Sequence, residues 1–144
     1  MNKENLDKNI ELLKRQQYWL SISYEEVKKI GIKKQYSIDE FGRFETLCSR
    51  FARSIDFLVR KLYRAIDEYE FETQGTLIDV INRAHKRGLL DSIEEIRIIK
   101  DIRNTITHEY VEEGLIAIFN DVLDYAPNLL ALMEKSIEYH KVKY

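Results

Sequence analysis

Apolar side chains recur at the three- and four-residue spacing of an α-helix along almost the whole chain, and few residues interrupt that pattern. The 144 residues include one proline, Pro127, and five glycines. Because the turns between short strands favour glycine and proline, this scarcity favours long helices. Apolar residues make up 44% and charged residues 33%, the balance of a soluble globular protein. We therefore predict an all-α fold, a four- to five-helix up-and-down bundle, as one domain over residues 1–144.

The apolar stripes and the residues that flank them divide the chain into helical segments. The predicted segments span about 3–30, 37–69, 76–87, a fourth that opens at Ser92, and about 112–142. Two serine–glutamate pairs have the spacing of a capping box, Ser37 with Glu40 and Ser92 with Glu95. Because proline cannot donate a backbone hydrogen bond, we expect Pro127 to kink or split the last helix.

Charge, cysteine content and hydropathy narrow the class of protein. The net charge of −2 means that any contact with nucleic acid must come from a local basic patch. The single cysteine, Cys48, cannot form an internal disulfide, and the first residues lack the apolar core of a secretion signal. We therefore expect a cytoplasmic protein. No run of eighteen apolar residues occurs, so we expect no membrane span.

The sequence offers no pattern for a metal or a cofactor. His85 and His140 have no cysteine or carboxylate at the spacing of metal ligands. A glycine-rich phosphate-binding loop is also missing from the sequence, so we do not expect the chain to bind ATP by itself. We predict no cofactor.

Residues 103–110, with the sequence RNTITHEY, combine an arginine, a histidine and a tyrosine in a region of helical pattern. On a helical wheel Arg103 and Tyr110 fall on the apolar face, and His108 falls on the opposite face with Asn104. An arginine on an apolar stripe needs a carboxylate partner, a water-filled cleft or a subunit interface. Arg103 and His108 are about 140° apart. For both to reach one phosphate, the helix must end or distort near Thr107, or a cleft must wrap around its end.

Each of these residues also has a purely structural interpretation. Arg103 could form a structural ion pair, and His108 on a polar face could be an ordinary surface histidine. Tyr110 could fill the core with its hydroxyl at the rim. Asn104 could bond a neighbouring backbone group. These alternatives stay open when the residues are considered one by one.

Considered together, the residues resemble a known family. Arg103, Asn104 and His108 match the R-x4–6-H signature of the HEPN superfamily, small all-α domains that include many metal-independent ribonucleases. With Tyr110 they match the R-x4-H-x-Tyr form of the HepT toxins, which pair with minimal nucleotidyltransferase (MNT) antitoxins. The resemblance implies that Arg103 binds the scissile phosphate and that His108 acts as general base or acid. It also implies a 2′-OH nucleophile, a supporting role for Asn104 in orienting the histidine or the phosphate, and a two-fold homodimer.

The resemblance also implies a role for Tyr110, as the residue that the antitoxin modifies by adenylylation (AMPylation). The expected partners are therefore an RNA substrate and a nucleotidyltransferase antitoxin. An alternative function is a non-catalytic adaptor that binds substrate for a small nucleotidyltransferase. A third possibility is a plain helical module in which Arg103 pairs internally with a carboxylate such as Glu95.

The second helical segment carries a basic stripe that could follow an RNA backbone. Its members are Arg43, Arg50, Arg53, Arg60, Lys61 and Arg64. A solvated face with acidic neighbours is the alternative interpretation. We expect the aromatic residues of the first segment, Tyr18, Trp19 and Tyr24, to pack on that helix rather than to stack on bases.

Overall fold

A computed structural model describes residues 3–72, 75–109 and 112–144, and within these ranges all regular structure is helical. The helices are α1 (Lys3–Ile30), α2 (Ile38–Phe57), α3 (Tyr63–Tyr69), α4 (Leu77–Lys86), α5 (Ile93–His108) and α6 (Glu112–Lys143). A π-helical turn, Leu58–Leu62, joins α2 to α3. Helices α2 and α3 therefore form one continuous rod, and the described chain contains five rods. The predicted all-α bundle is confirmed.

Local sequence signals start the helices where the pattern predicts. The Ser37 hydroxyl accepts from the backbone N–H of Glu40, and the Glu40 carboxylate accepts from the backbone N–H of Ser37, which completes the predicted capping box. The second predicted box is half formed. Ser92 accepts from the backbone N–H of Glu95, but the Glu95 carboxylate accepts from the Asn128 side chain of α6 instead. A tertiary contact has replaced one local bond.

Side-chain contacts fix the directions of the long helices. The pairs are Asp7 with His140 and Gln17 with Glu134 between α1 and α6, Glu26 with Arg43 and Ser23 with Arg50 between α1 and α2, and Asp91 with Lys135 and Glu95 with Asn128 between the start of α5 and α6. In each set, a later residue of one helix meets an earlier residue of the other. These helices are therefore antiparallel, and the four long rods alternate in direction with the short α4 inserted between α3 and α5.

The core forms where the apolar stripes of these rods meet. The apolar stripes of α1 and of the α2–α3 rod are buried, with the members Leu6, Ile10, Leu13, Leu20, Val27, Phe44, Phe51, Ile55, Leu58, Leu62 and Ile66. At the centre, the rings of Phe44 and Phe119 stack with centroids 4.3 Å apart. Tyr36 and Phe41 meet Phe119 edge to face. Aromatic pairs of this kind stabilise a core beyond the area that they bury.

The last helix differs from its prediction. Helix α6 continues through Pro127 as one element, so the predicted split is wrong. Pro127 is exposed, and on that side water can satisfy the Leu123 carbonyl that loses its helical partner. In the described part of the chain, α6 is the one helix whose length and apolar composition would suffice to cross a membrane. A central core helix of a bundle needs the same apolar composition.

A polar network joins α3, α4 and α6 at one end of the bundle. The Asp67 side chain, 3% exposed, forms ion pairs with Arg83 and Arg87. Glu70 accepts from Arg87 and from the hydroxyl of Tyr139. Burial alone would raise the pKa of Glu70, but the hydrogen bonds that it accepts from Tyr139, Tyr144 and Arg87 lower that pKa to about 2. The network ties the end of α6 to the second rod.

Candidate functional site

Arg103 lies at the edge of the buried stripe of α5 and pairs with Asp56 at the end of α2. Its Nε and Nη2 donate to Asp56 Oδ2 at 3.1 and 2.9 Å. The exposed fractions of the two side chains are 27% and 36%. The arginine on the apolar stripe thus has both a carboxylate partner and access to solvent. The partner suggested by the sequence, Glu95, was wrong. In the sequence, Asp56 stands out only as one of the two acidic residues, with Glu45, between the first and the last member of the basic stripe.

Asn104 holds a third donor of the same guanidinium. Arg103 Nη1 donates to Asn104 Oδ1 at 3.2 Å. A guanidinium carries five N–H groups, and these bonds use three of them. Two N–H groups therefore have no partner among the described residues and remain for a ligand such as a phosphate oxygen. Among the described residues, Asn104 orients the arginine and forms no hydrogen bond with His108.

His108 is the last residue of α5, and its side chain is exposed. The backbone leaves the helix at Glu109, which is extended with φ −92° and ψ 124°. The helix therefore ends one residue after Thr107, close to where it must end if Arg103 and His108 are to reach one phosphate. It shows no distortion before that point. The hydroxyls of Thr105 and Thr107 donate to backbone carbonyls one turn earlier, those of Asp101 and Arg103, both at 3.0 Å.

The structure does not bring Arg103 and His108 together. They lie on different sides of one regular helix, and His108 makes no hydrogen bond or ion pair with any described residue. Tyr110, the last member of the motif, lies outside the described residues. One chain therefore directs Arg103 toward Asp56 and His108 toward another side of α5.

A groove of about 440 Å³ lies between α2 and the end of α5. Its polar lining comes from Glu45, Ser49, Arg53, Asp56, Thr107 and Glu109. The carboxylates outnumber the cations there, because Arg53 and the adjacent Arg103 face three acidic side chains. A phosphate in this groove must therefore bind at the two arginines, away from Glu45 and Glu109.

The first part of the basic stripe is engaged in structural contacts. Arg43 pairs with Glu26 and Asp39, and these carboxylates raise the pKa of its guanidinium. Arg50 donates through Nη1 to the Trp19 carbonyl at 3.1 Å and to the Ser23 hydroxyl at 2.7 Å. The interpretation as a face with acidic neighbours therefore holds for Arg43.

The second part of the stripe is different. Arg53, Arg60 and Lys61 are exposed and Arg64 is half-buried, and none of the four has an ion-pair partner among the described residues. The π-helical turn at Leu58–Leu62 lies between the first of them and the last. A π turn takes more residues than an α turn, so the face assignments made on a uniform helical wheel do not carry across it.

The aromatic residues of α1 pack on their own helix, yet two of them remain open to solvent. The rings of Tyr18 and Trp19 meet edge to face with centroids 5.3 Å apart. Their exposed fractions are 58% and 50%. Tyr24 is half-buried, with the Lys28 ammonium 5.8 Å from its ring centroid. The sequence did not reveal this exposure, because helical spacing alone does not show which neighbours cover a residue.

Comparison with known proteins adds no relative: the chain matches no family model, no curated protein and no solved structure. Among the described residues, no three histidine, cysteine or acidic side chains cluster closely enough to hold a metal ion. The candidate site is therefore defined by its own geometry, an oriented arginine beside a groove and an exposed histidine at the end of the same helix.

Proposed function

We propose that this protein is a HEPN-type ribonuclease, the toxin of a toxin–antitoxin pair whose antitoxin is a minimal nucleotidyltransferase. The observation that carries the proposal is the complete R-x4-H-x-Tyr set, in which Arg103 is oriented by two neighbours and keeps two N–H groups for a phosphate. An all-helical bundle of this length supports it. The alternating long helices are compatible with a HEPN-like arrangement.

In the proposed reaction the RNA supplies its own nucleophile. His108 accepts the proton of a 2′-OH, whose oxygen then attacks the adjacent phosphorus, and the bond from phosphorus to the 5′-oxygen breaks. The leaving 5′-oxygen takes up a proton, so the products are a 2′,3′-cyclic phosphate and a 5′-OH. Arg103 binds the non-bridging oxygens and stabilises the charge that develops on them. An imidazole suits this role because one ring nitrogen can accept a proton while the other carries one.

The geometry of α5 favours a site shared by two subunits. Because Arg103 and His108 lie on different sides of one helix, we propose that Arg103 of one protomer and His108 of its partner act on the same phosphate. Mixing inactive Arg103→Ala and His108→Ala protomers tests this. After equal mixing and subunit exchange, half of all dimers contain one protomer of each variant, and each of these heterodimers has one intact site out of two. We expect about a quarter of wild-type activity, whereas a site within one protomer gives none.

The catalytic proposal is tested by cleavage of RNA in EDTA. Arg103→Ala and His108→Ala should each abolish cleavage, because one loses phosphate binding and the other loses proton transfer. Arg97→Ala and His85→Ala are matched controls. They remove an exposed arginine of α5 and an exposed histidine of α4, and they should retain activity. Cleavage that is equal in all five proteins would show that a contaminant is responsible.

Control by the antitoxin is proposed to act through Tyr110. The antitoxin would join the Tyr110 hydroxyl oxygen to the α-phosphorus of ATP and release pyrophosphate. The added AMP would occupy the phosphate site near Arg103 by bulk and by charge. Incubation with the partner and ATP should raise the intact mass by AMP units. Tyr110→Phe should abolish this gain, and Tyr18→Phe, which changes another tyrosine, should not.

One observation favours the second candidate function, an adaptor that binds substrate for a nucleotidyltransferase without cleaving RNA. An adaptor needs no free arginine, and Asp56 already satisfies two donors of Arg103. The two functions differ in the EDTA assay. An adaptor binds its partner and leaves RNA intact, and Arg103→Ala then changes stability alone.

A further inference from the structure

A small cavity between α1 and α2 presents an aromatic ring beside two arginines. Its volume is about 270 Å³, and its lining is Gln16, Trp19, Arg50, Arg53 and Ser54. We call this group the Trp19 shelf. Half of the Trp19 side chain is exposed, which is unusual for the largest apolar side chain of the protein. The exposed ring lies beside two arginines that have no ion-pair partner among the described residues.

Arg50 is fixed in place on the shelf. Its guanidinium carbon lies 5.1 Å from the Trp19 ring centroid, within the range of a cation–π contact. Its Nη1 donates to the Trp19 carbonyl and to the buried Ser23 hydroxyl. These bonds leave Nε and Nη2 without a hydrogen-bond partner among the described residues. The cation is thus ordered before any ligand binds, and it retains donors for an anion.

The charge of the shelf selects the kind of ligand. Arg53 is exposed and has no ion-pair partner among the described residues. An apolar protein surface that covered it would strip water from an uncompensated charge, at a cost of several kcal/mol. A phosphodiester supplies the missing negative charge, and its base offers a flat face for the ring. Aromatic rings combined with cations are the composition of surfaces that bind single-stranded nucleic acid.

The shelf is continuous with the candidate catalytic groove. Arg53 lines both cavities. Arg50, Arg53 and Asp56 follow one another at three-residue steps on α2, which is a rise of about 4.5 Å for each step. Asp56 in turn holds Arg103. A strand that enters the groove at Arg103 can therefore continue along α2 and reach the shelf.

We propose that the Trp19 shelf is a subsite that stacks one base of a single-stranded RNA, with the flanking phosphate bound by Arg53 and Arg50. The ligand class rests on the proposed function, because the strand is that of the RNA substrate. Duplex RNA does not fit this site, since its bases are already stacked on each other.

Trp19 is the single tryptophan of the chain, so its fluorescence reports directly on the shelf in the unmodified protein. The probe is a single-stranded 2′-O-methyl oligonucleotide of about twelve nucleotides, which cannot be cleaved by 2′-OH attack. We expect it to quench Trp19 emission saturably, because a stacked base contacts the ring. The same sequence as a duplex, and inorganic phosphate alone, should leave the emission unchanged.

Variants then connect quenching with affinity, measured by fluorescence anisotropy of a labelled probe. Trp19→Ala should weaken binding by roughly 5- to 150-fold, the range for loss of one aromatic–base stack. Trp19→Phe should restore most of the affinity, since a smaller ring still stacks. Arg53→Gln should reduce the slope of log affinity against log salt by about one. Phe71→Ala is the matched control, because this exposed aromatic borders neither cavity.

Several results would overturn the inference. These are absence of probe binding, binding without quenching, equal quenching by the duplex, and unchanged affinity in Trp19→Ala. A change of oligomeric state in Trp19→Ala with unchanged probe affinity would overturn it too, and would identify the shelf as a protein interface. Cleavage of unmodified RNA in EDTA is measured on the same samples. If cleavage persists while the shelf results fail, the subsite is refuted and the proposed function stands.

Discussion

Replacing Asp56 by asparagine separates the structural role of the Arg103–Asp56 pair from its proposed catalytic role. Asparagine keeps the shape of the side chain and one acceptor oxygen but removes the charge. The pair has two charge-assisted hydrogen bonds to a single oxygen, and both side chains are about one-third exposed. Water screens such a pair substantially, so we expect the pair to stabilise the fold by about 1 kcal/mol.

This free energy corresponds to a measurable change in melting temperature. For 144 residues, an unfolding entropy of about 2.1 cal/mol/K for each residue gives about 0.3 kcal/mol/K. A loss of 1 kcal/mol then lowers Tm by about 3 °C. Urea unfolding of Asp56→Asn, Arg103→Gln and the double variant completes a thermodynamic cycle. We expect a coupling energy of about 1 kcal/mol between the two sites.

Catalysis should respond in a different way. A carboxylate about 6 Å from a bound phosphate repels it by roughly 0.7 kcal/mol in water, so removing the charge should tighten RNA binding by about threefold. The same change weakens the bonds that hold Nε and Nη2 of Arg103, and the less oriented guanidinium should lower kcat by about tenfold. KM and kcat should therefore fall together. An unchanged kcat, combined with the expected loss of stability, would refute the idea that Asp56 positions a catalytic arginine.

Three further predictions concern the fold. The hydrogen bonds that lower the pKa of Glu70 stabilise the native state fully at pH values above about 4.5, the unfolded pKa, and this stabilisation is lost as the pH falls toward about 2. Glu70→Gln should therefore lower the free energy of unfolding by about 2 kcal/mol at pH 7, discounted for water contact, and the variant and wild type should have equal stability in urea near pH 2. Asp67→Ala removes the buried carboxylate that Arg83 and Arg87 share, while Arg87 keeps Glu70, and should cost about 3 kcal/mol by urea unfolding. A loss below 1 kcal/mol would contradict a structural role for this network. Ser37→Ala removes a capping box and should lower Tm by about 3 °C, whereas an unchanged Tm would mean that the first turn of α2 is held by packing alone.

The features that could be predicted from the sequence are those that depend on residues close together in the chain. The stripe of α1 and the cap at Ser37 follow from spacing within one helix, and both agree with the structure. The buried residues of α6 were harder to predict, since this helix packs against α1, α2 and α5 and is apolar on several sides. The buried residues Val122, Ala126 and Leu129 therefore do not stand out from their apolar neighbours by periodicity.

The features that sequence reasoning missed depend on contacts between distant segments. Asp56 and Arg103 are 47 residues apart, and no local pattern selects that carboxylate over Glu95. The π-helical turn at Leu58–Leu62 has no turn residue to mark it. The separation of Arg103 from His108 was predictable, because it follows from helix geometry alone.

The most direct test of the central claim is the chemistry of the RNA ends produced in EDTA. Purified wild-type protein should yield a 2′,3′-cyclic phosphate and a 5′-OH, because the adjacent 2′-OH attacks the phosphorus. An RNA with a single 2′-deoxy substitution at the cleaved position should resist cleavage there, and His108→Ala should give neither product. If wild type cleaves the deoxy-substituted position, or leaves 5′-phosphate ends, the assignment of Arg103 and His108 to 2′-OH-driven cleavage is contradicted.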